Sequence, residues 1–135
     1  MQWQPDLYYP ISEVIIRMTT RPTILIYVIN PNLKLLKEVC AGIEEEGIYY
    51  EVIHRDNGEI NTLCYESANT SILGTGIAMK ETIIALTLSS LPKGKQVFKL
   101  EDPSWNQARN LGTNAARAVK RKSFKEIGCG NKYDD

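Results

Sequence analysis

The run Thr23-Ile-Leu-Ile-Tyr-Val-Ile29 limits the fold more than any other part of this sequence. It is continuously apolar and rich in β-branched residues, with none of the polar alternation of a half-wet strand. Such a run predicts a strand covered on both faces, as in the parallel sheets of α/β proteins. Helices must therefore lie above and below it.

The flanking sequence supplies them. Asn30-Pro31-Asn32 reads as a turn, with Asn32 placed to cap a helix. Leu33, Leu36, Val39, Cys40 and Ile43 then fall on one helical stripe, and Gly47 is a natural stop. Ile48 to His54 predicts a second strand, Asp56-Asn57-Gly58 a turn, and Ile60, Leu63, Cys64 and Ser67 a second helix ending near Asn69. Leu73–Met79 and Thr82–Leu88, separated by Lys80-Glu81, predict an antiparallel hairpin. A short strand over Gln96–Leu100 follows. Pro103 is assigned to the first turn of a last helix that turns Ala108, Leu111, Ala115, Ala116 and Val119 inward. The order β-α-β-α-β-β-β-α with right-handed crossovers predicts a three-layer α/β/α sandwich. Its mixed five-stranded sheet has one strand antiparallel.

Residues 23–127 are expected to form this domain, preceded by an extension over 1–22 and followed by a polar tail over 128–135. In the extension, Ile11, Val14, Ile15 and Met18 fit one stripe of a short helix, although the β-branched residues also suit a strand. At 135 residues, one core is feasible without staples.

Lys plus Arg and Asp plus Glu balance at 16 each, giving no electrostatic reason to expect nucleic acid or an anionic membrane as main partner. Cys40, Cys64 and Cys129 are odd in number and widely spaced, which suggests neither a disulfide framework nor a zinc site. Cys40 and Cys64 read as core residues. The chain shows no apolar run of membrane-spanning length and no secretory layout, so a cytoplasmic location is expected.

The chemical signals are sparse. His54 is the sole histidine, and no nucleophile or orienting partner can be assigned to it. Ser67, Ser71 and Cys64 lack triad context. Gly74-Thr75-Gly76 falls in or beside a strand, where glycine marks close main-chain packing rather than a phosphate loop. Lys120, Arg121, Lys122 and Lys125 suit a helix C-terminus. Glu44-Glu45-Glu46 is less conventional, because acidic groups in a last helical turn oppose the dipole. It reads either as a solvated face or as the source of one carboxylate for a hard cation such as Mg²⁺. Consecutive helix positions point about 100° apart, so the three cannot share one ion, and further ligands would come from a partner. No catalytic constellation emerges, and the chain is expected not to be an enzyme by itself.

Three strings add a family. Glu38-Val-Cys-Ala-Gly-Ile-Glu-Glu-Glu-Gly47-Ile, Ala68 through Ile77, and Asn110-Leu-Gly-Thr-Asn-Ala-Ala-Arg-Ala-Val-Lys120 with Phe124 resemble the small subunit of diol and glycerol dehydratase reactivating factors. The resemblance spans roughly Thr23 to Ile127. Tyr49 and Ser123 depart from it, each standing where the family usually has proline. It implies a chaperone-like role beside a large ATPase-like subunit that hydrolyses ATP. By exchanging its small subunit for the dehydratase's medium subunit, the factor releases damaged cobalamin. The resemblance also implies that Glu45 alone, the middle glutamate, contributes to a Mg²⁺ site at the large-subunit interface. It implies a setting in the cytoplasm or a bacterial microcompartment, where the Ile11/Val14/Ile15/Met18 stripe resembles a packaging signal. The alternatives are a dehydratase medium subunit and a small-molecule-binding α/β domain. Whether the client acts on propane-1,2-diol or glycerol is not written in the sequence.

Overall fold

A computed structural model describes residues 22–127. The readings placed on the Ile11–Met18 stripe, Cys129 and the polar tail lie outside the described residues.

Five strands form one sheet in the order β2-β1-β3-β4-β5: β1 (Ile24–Ile29), β2 (Tyr50–His54), β3 (Thr75–Lys80), β4 (Ile83–Leu88) and β5 (Phe98–Glu101). β1 pairs in parallel with both β2 and β3. β4 runs antiparallel to β3 and to β5. Four strands thus share one direction and β4 opposes them, as expected. The helices are α1 (Leu33–Glu45), α2 (Ile60–Thr70) and α3 (Trp105–Lys120).

Handedness explains the layers. The β1-α1-β2 crossover steps one way along the sheet, and β2-α2-β3 steps back across β1, so two right-handed units put α1 and α2 on opposite faces. On one face Ile24, Ile26, Val28, Ile77, Met79, Ile84 and Leu86 meet α1 and α3. On the other, Leu25, Tyr27, Ile53, Ala78 and Ala85 meet α2 through Ile60, Leu63 and Cys64. Ile24 through Val28 are fully buried, which is why that run could not alternate.

Local chemistry sets the ends. Asn32 caps α1 by accepting the Leu35 N–H at 3.1 Å. Gly47, at φ 77°, turns the chain out of α1 in a left-handed conformation that costs a glycine little. Gly76 lets α2 press on β3: a methyl there would overlap Ser67 Oγ and Ala68 N, as the close-packing reading required. Pro103 is displaced from its expected place, because Ser104 is the cap of α3 and the proline precedes it. Ser104 Oγ accepts the Gln107 N–H at 3.0 Å while Gln107 Oε1 accepts the Ser104 N–H at 2.8 Å, a reciprocal capping box.

At the carboxyl ends of β1 and β3, where open α/β sheets commonly hold ligands, main chain crosses the end of β1. An open cleft of about 340 Å³ lies beside the hairpin turn, lined by Glu59, Ile60, Lys80, Glu81, Thr82 and Ile83. Asn32 N–H donates to the Glu81 carbonyl at 2.9 Å, and Glu81 N–H to the Ile29 carbonyl at 3.2 Å. The hairpin turn is thereby tied across the end of β1.

Candidate functional site

α1 and α3 lie side by side on one face of the sheet, and the contacts between them advance together along both chains. Lys34 Nζ sits 3.6 Å from the centre of the Trp105 ring. Farther along, Arg109 meets Glu38, and Arg117 and Lys120 meet Glu46. The two helices therefore run in the same direction, and two glycines let their main chains touch. A methyl on Gly42 would overlap the Arg109 carbonyl oxygen and reach 2.8 Å from Thr113 N. One on Gly112 would overlap the Val39 carbonyl oxygen. The strings beginning at Glu38 and Asn110, remote in sequence, are thus two halves of one seam.

Parallel helices place their negative dipole ends together, and here the end of α1 also carries three carboxylates. α3 offsets this. Lys120 Nζ lies 2.9 Å from Glu46 Oε1 and donates at 2.9 Å to the Glu46 carbonyl, so it caps the helix and pairs the side chain at once. Arg117 Nε adds a contact at 3.5 Å. The hydrogen bond from Lys120 is the main reason the Glu46 carboxyl titrates below its ordinary range; burial opposes it, and the charges of Lys120, Arg117 and Lys122 reinforce it.

The three glutamates diverge, as their angular spacing demands. Glu44 accepts the hydroxyl of Tyr50, a buried residue whose pKa is pushed far up, first by burial and then by that bond. Glu46 is turned into the seam. Glu45 points outward with 57% of its side chain exposed, and its ion contact is a loose 3.9 Å to Arg109 Nη1. The other Nη of Arg109 holds Glu38 at 2.9 Å. Above this pair lies a shallow cleft of about 240 Å³ lined by Lys34, Glu38, Trp105, Asn106 and Arg109.

This arrangement fits a hard cation in one respect. Glu45 can offer one carboxylate, while its two neighbours are committed elsewhere. Among the described residues no cluster of three His, Cys, Asp or Glu could hold a metal ion, so a cation at Glu45 would need ligands from beyond them.

Behind the seam, Asn114 is fully buried and binds the main chain of Lys125 twice, donating to its carbonyl at 2.8 Å and accepting its N–H at 2.6 Å. Asn110 Nδ2 reaches the Glu126 carbonyl at 3.3 Å. These bonds lay the segment 122–127 back along α3, where Phe124 meets Phe98 of β5 edge to face at 5.5 Å. Sequence alone gives Arg109 no role, and it places Glu38 and Phe124 in family strings without showing what either touches. Glu38 and Glu45 stand seven residues apart about Gly42, and that spacing was the available signal.

The remaining candidates are structural. Ser67 Oγ donates to the Cys64 carbonyl at 2.8 Å and Ser71 Oγ to the Thr23 carbonyl at 2.7 Å. Burial pushes the Cys64 thiol up to about 12, far from a reactive thiolate. Cys40 and Cys64 are both buried. His54 is half-buried at the end of β2, in register with Val28. No helix among the described residues is long and apolar enough to cross a membrane.

Comparison with known proteins adds independent findings. The family model for the dehydratase medium subunit matches residues 21–125. Over 107 residues the chain is 38% identical to the propanediol dehydratase-reactivating factor small subunit of Salmonella typhimurium, covering 78% of this chain and 92% of that one. It is 37% identical to the diol dehydratase-reactivating factor small subunit of Klebsiella michiganensis, covering 78% and 86%. Among solved structures, it resembles a diol dehydratase-reactivating factor complexed with ADP and Mg²⁺, with a TM-score of 0.74 and 36% identity over 78% of this chain and 98% of that one. A glycerol dehydratase reactivase matches with a TM-score of 0.75 and 28% identity over 79% and 99%.

Proposed function

The chain belongs to the dehydratase medium subunit family, and we propose that within it this chain is the small subunit of a factor that reactivates a cobalamin-dependent diol or glycerol dehydratase. The observation that carries this reading is the length of the likeness: it runs over 92% of a reactivating-factor small subunit and 98% of a solved reactivating-factor chain. A second reading, a dehydratase medium subunit, is favoured by the description of the family model alone.

In the proposed role the chain does no bond chemistry. It exchanges places with the medium subunit of the dehydratase, whose fold it shares, and so opens the enzyme for damaged cobalamin to leave. ATP is hydrolysed on the large subunit. The α1–α3 seam supports the reading by turning one carboxylate, Glu45, toward solvent on a braced helix end. Bound there, Mg²⁺ would supply a divalent charge for the Glu45 carboxylate, with its remaining ligands coming from the partner. The work of this chain is to present Glu45 while Tyr50, Arg117 and Lys120 hold the adjacent glutamates away. Such a factor acts in the cytoplasm, and residues 1–22 direct it to a microcompartment. Deleting residues 1–20 without changing co-localisation with the dehydratase would refute that last assignment.

A pull-down with the full chain as bait separates the readings. Recovery of a large ATPase-like subunit supports the reactivating factor, whereas recovery of dehydratase large and small subunits alone supports the medium subunit. For the metal role, Glu45→Ala should weaken assembly with the large subunit about tenfold in Mg²⁺. Equal assembly of mutant and wild type, with and without chelator, would remove Glu45 from the site.

A further inference from the structure

We propose that Arg109 is an internal counter-ion for Glu45, displaced when a partner-borne cation arrives, and that Glu38 is the anchor to which it withdraws. The proposal rests on the reading of Glu45 as an oxygen donor to an interface cation.

The geometry is set by main chain. The Arg109 carbonyl lies against Gly42, so close that a methyl there would overlap it. The side chain therefore springs from a fixed point between Glu38 and Glu45, which flank Gly42 on the same face of α1. A guanidinium is a planar fork able to serve two carboxylates at once. Its two arms are unequal here: Nη2 holds Glu38 at 2.9 Å and Nη1 stands 3.9 Å from Glu45. The environments are unequal too, with the Glu38 side chain 20% exposed and that of Glu45 57%. The shielded pair at hydrogen-bond distance persists. The solvated pair at the limit of ion-pair range is weak and easily given up.

A divalent cation at Glu45 would repel the guanidinium at close range. Arg109 can retreat without becoming unpaired, because its stronger contact points the other way. In the free chain the same fork keeps the Glu45 carboxylate paired beside α1. Glu45 is thus held ready without being locked, and Glu38 decides where Arg109 goes when Glu45 is taken.

The test is assembly of the full chain with its large subunit across a Mg²⁺ titration, reading the concentration for half-maximal assembly. Arg109→Gln should lower that concentration about two- to fivefold, the range of an exposed ion pair. Glu38→Gln should raise it by a similar factor, because both arms then compete for Glu45. A simple through-space field would give the same two signs, so the double variant decides. If Glu38 acts only through Arg109, the Glu38→Gln/Arg109→Gln chain matches Arg109→Gln alone. A return of the double variant to the wild-type value overturns the proposal, as does an unchanged value in Glu38→Gln, which keeps the test alive should Arg109→Gln fail to fold. If Glu45→Ala itself leaves the Mg²⁺ dependence intact, the parent reading fails and takes this one with it.

Discussion

Replacing Gly112 by alanine sets helix propensity against packing at a single atom. In an unhindered helix interior the change would stabilise by about 1 kcal/mol. At Gly112 the new methyl would overlap the Val39 carbonyl oxygen and stand 2.9 Å and 3.1 Å from the Val39 carbonyl carbon and Cα, whereas ordinary contact begins at 3.4 Å. All three opposing atoms are main chain, so no rotamer change relieves them. α1 and α3 must part, loosening the buried contacts of Val39, Leu111 and Ala115. Overpacking of this kind costs about 1–3 kcal/mol. With three main-chain atoms in the way the upper part of that range applies, about 2–3 kcal/mol, which leaves a net loss of about 1–2 kcal/mol and a fall in Tm of about 4–8 °C for a domain of this size. Thermal and urea denaturation followed by circular dichroism would measure it. The companion Gly112→Ala/Val39→Ala should melt lower still, because trimming the valine side chain leaves the blocking carbonyl in place. An unchanged or raised Tm in Gly112→Ala, or rescue by Val39→Ala, would refute the main-chain seam.

Two further predictions concern the same layer. Glu46 titrates below its ordinary range, so its pairing stabilises the fold above the unfolded-state value near 4.5, and that contribution is lost as pH falls through the lower folded value. Glu46→Gln should therefore melt below wild type at pH 7, and the gap should close in acid; a gap independent of pH would remove Lys120 and Arg117 as its cause. Asn114→Ala should cost about 1–3 kcal/mol by stranding the main chain of Lys125. Limited proteolysis should then cut within residues 122–127 at protease levels the wild type resists, and equal resistance would refute the bracing role.

The sheet and its layers were legible because the signals for them are local. Six consecutive apolar residues, Ile24 to Ile29, require cover on both faces, and Asn32, Gly47 and Gly76 each state their purpose through one chemical property. Edges were less legible. Gly74, at φ 70°, delays β3 to Thr75, and β5 starts at Phe98 rather than Gln96 because that pairing depends on β4 as much as on its own residues. Ser104-x-x-Gln107 carries the start of α3, although Pro103 beside it is the more conspicuous signal. At the site, angular spacing correctly separated the three glutamates, but it could not say which one the fold would leave outward. That choice belongs to Tyr50, Arg117 and Lys120, which topology brings from β2 and α3. Arg109 and Glu38 stayed hidden for the same reason, since their relation exists only once two distant glycines allow two helices to touch.

The seam at Gly42 and Gly112 also has a mechanical meaning. Side chains between packed helices act as joints, because each can hop to another rotamer under load. Where carbonyl meets Cα hydrogen there is no such joint. A push on α1 passes directly into α3, then through Asn110 and Asn114 to the segment 122–127, and by Phe124 to the sheet edge. What ties the last turn of α1 to its neighbour is Glu46, through Lys120 and Arg117. For a body whose proposed task is to wedge between other subunits, such stiffness directs the available work into separating the partners rather than into deforming the wedge.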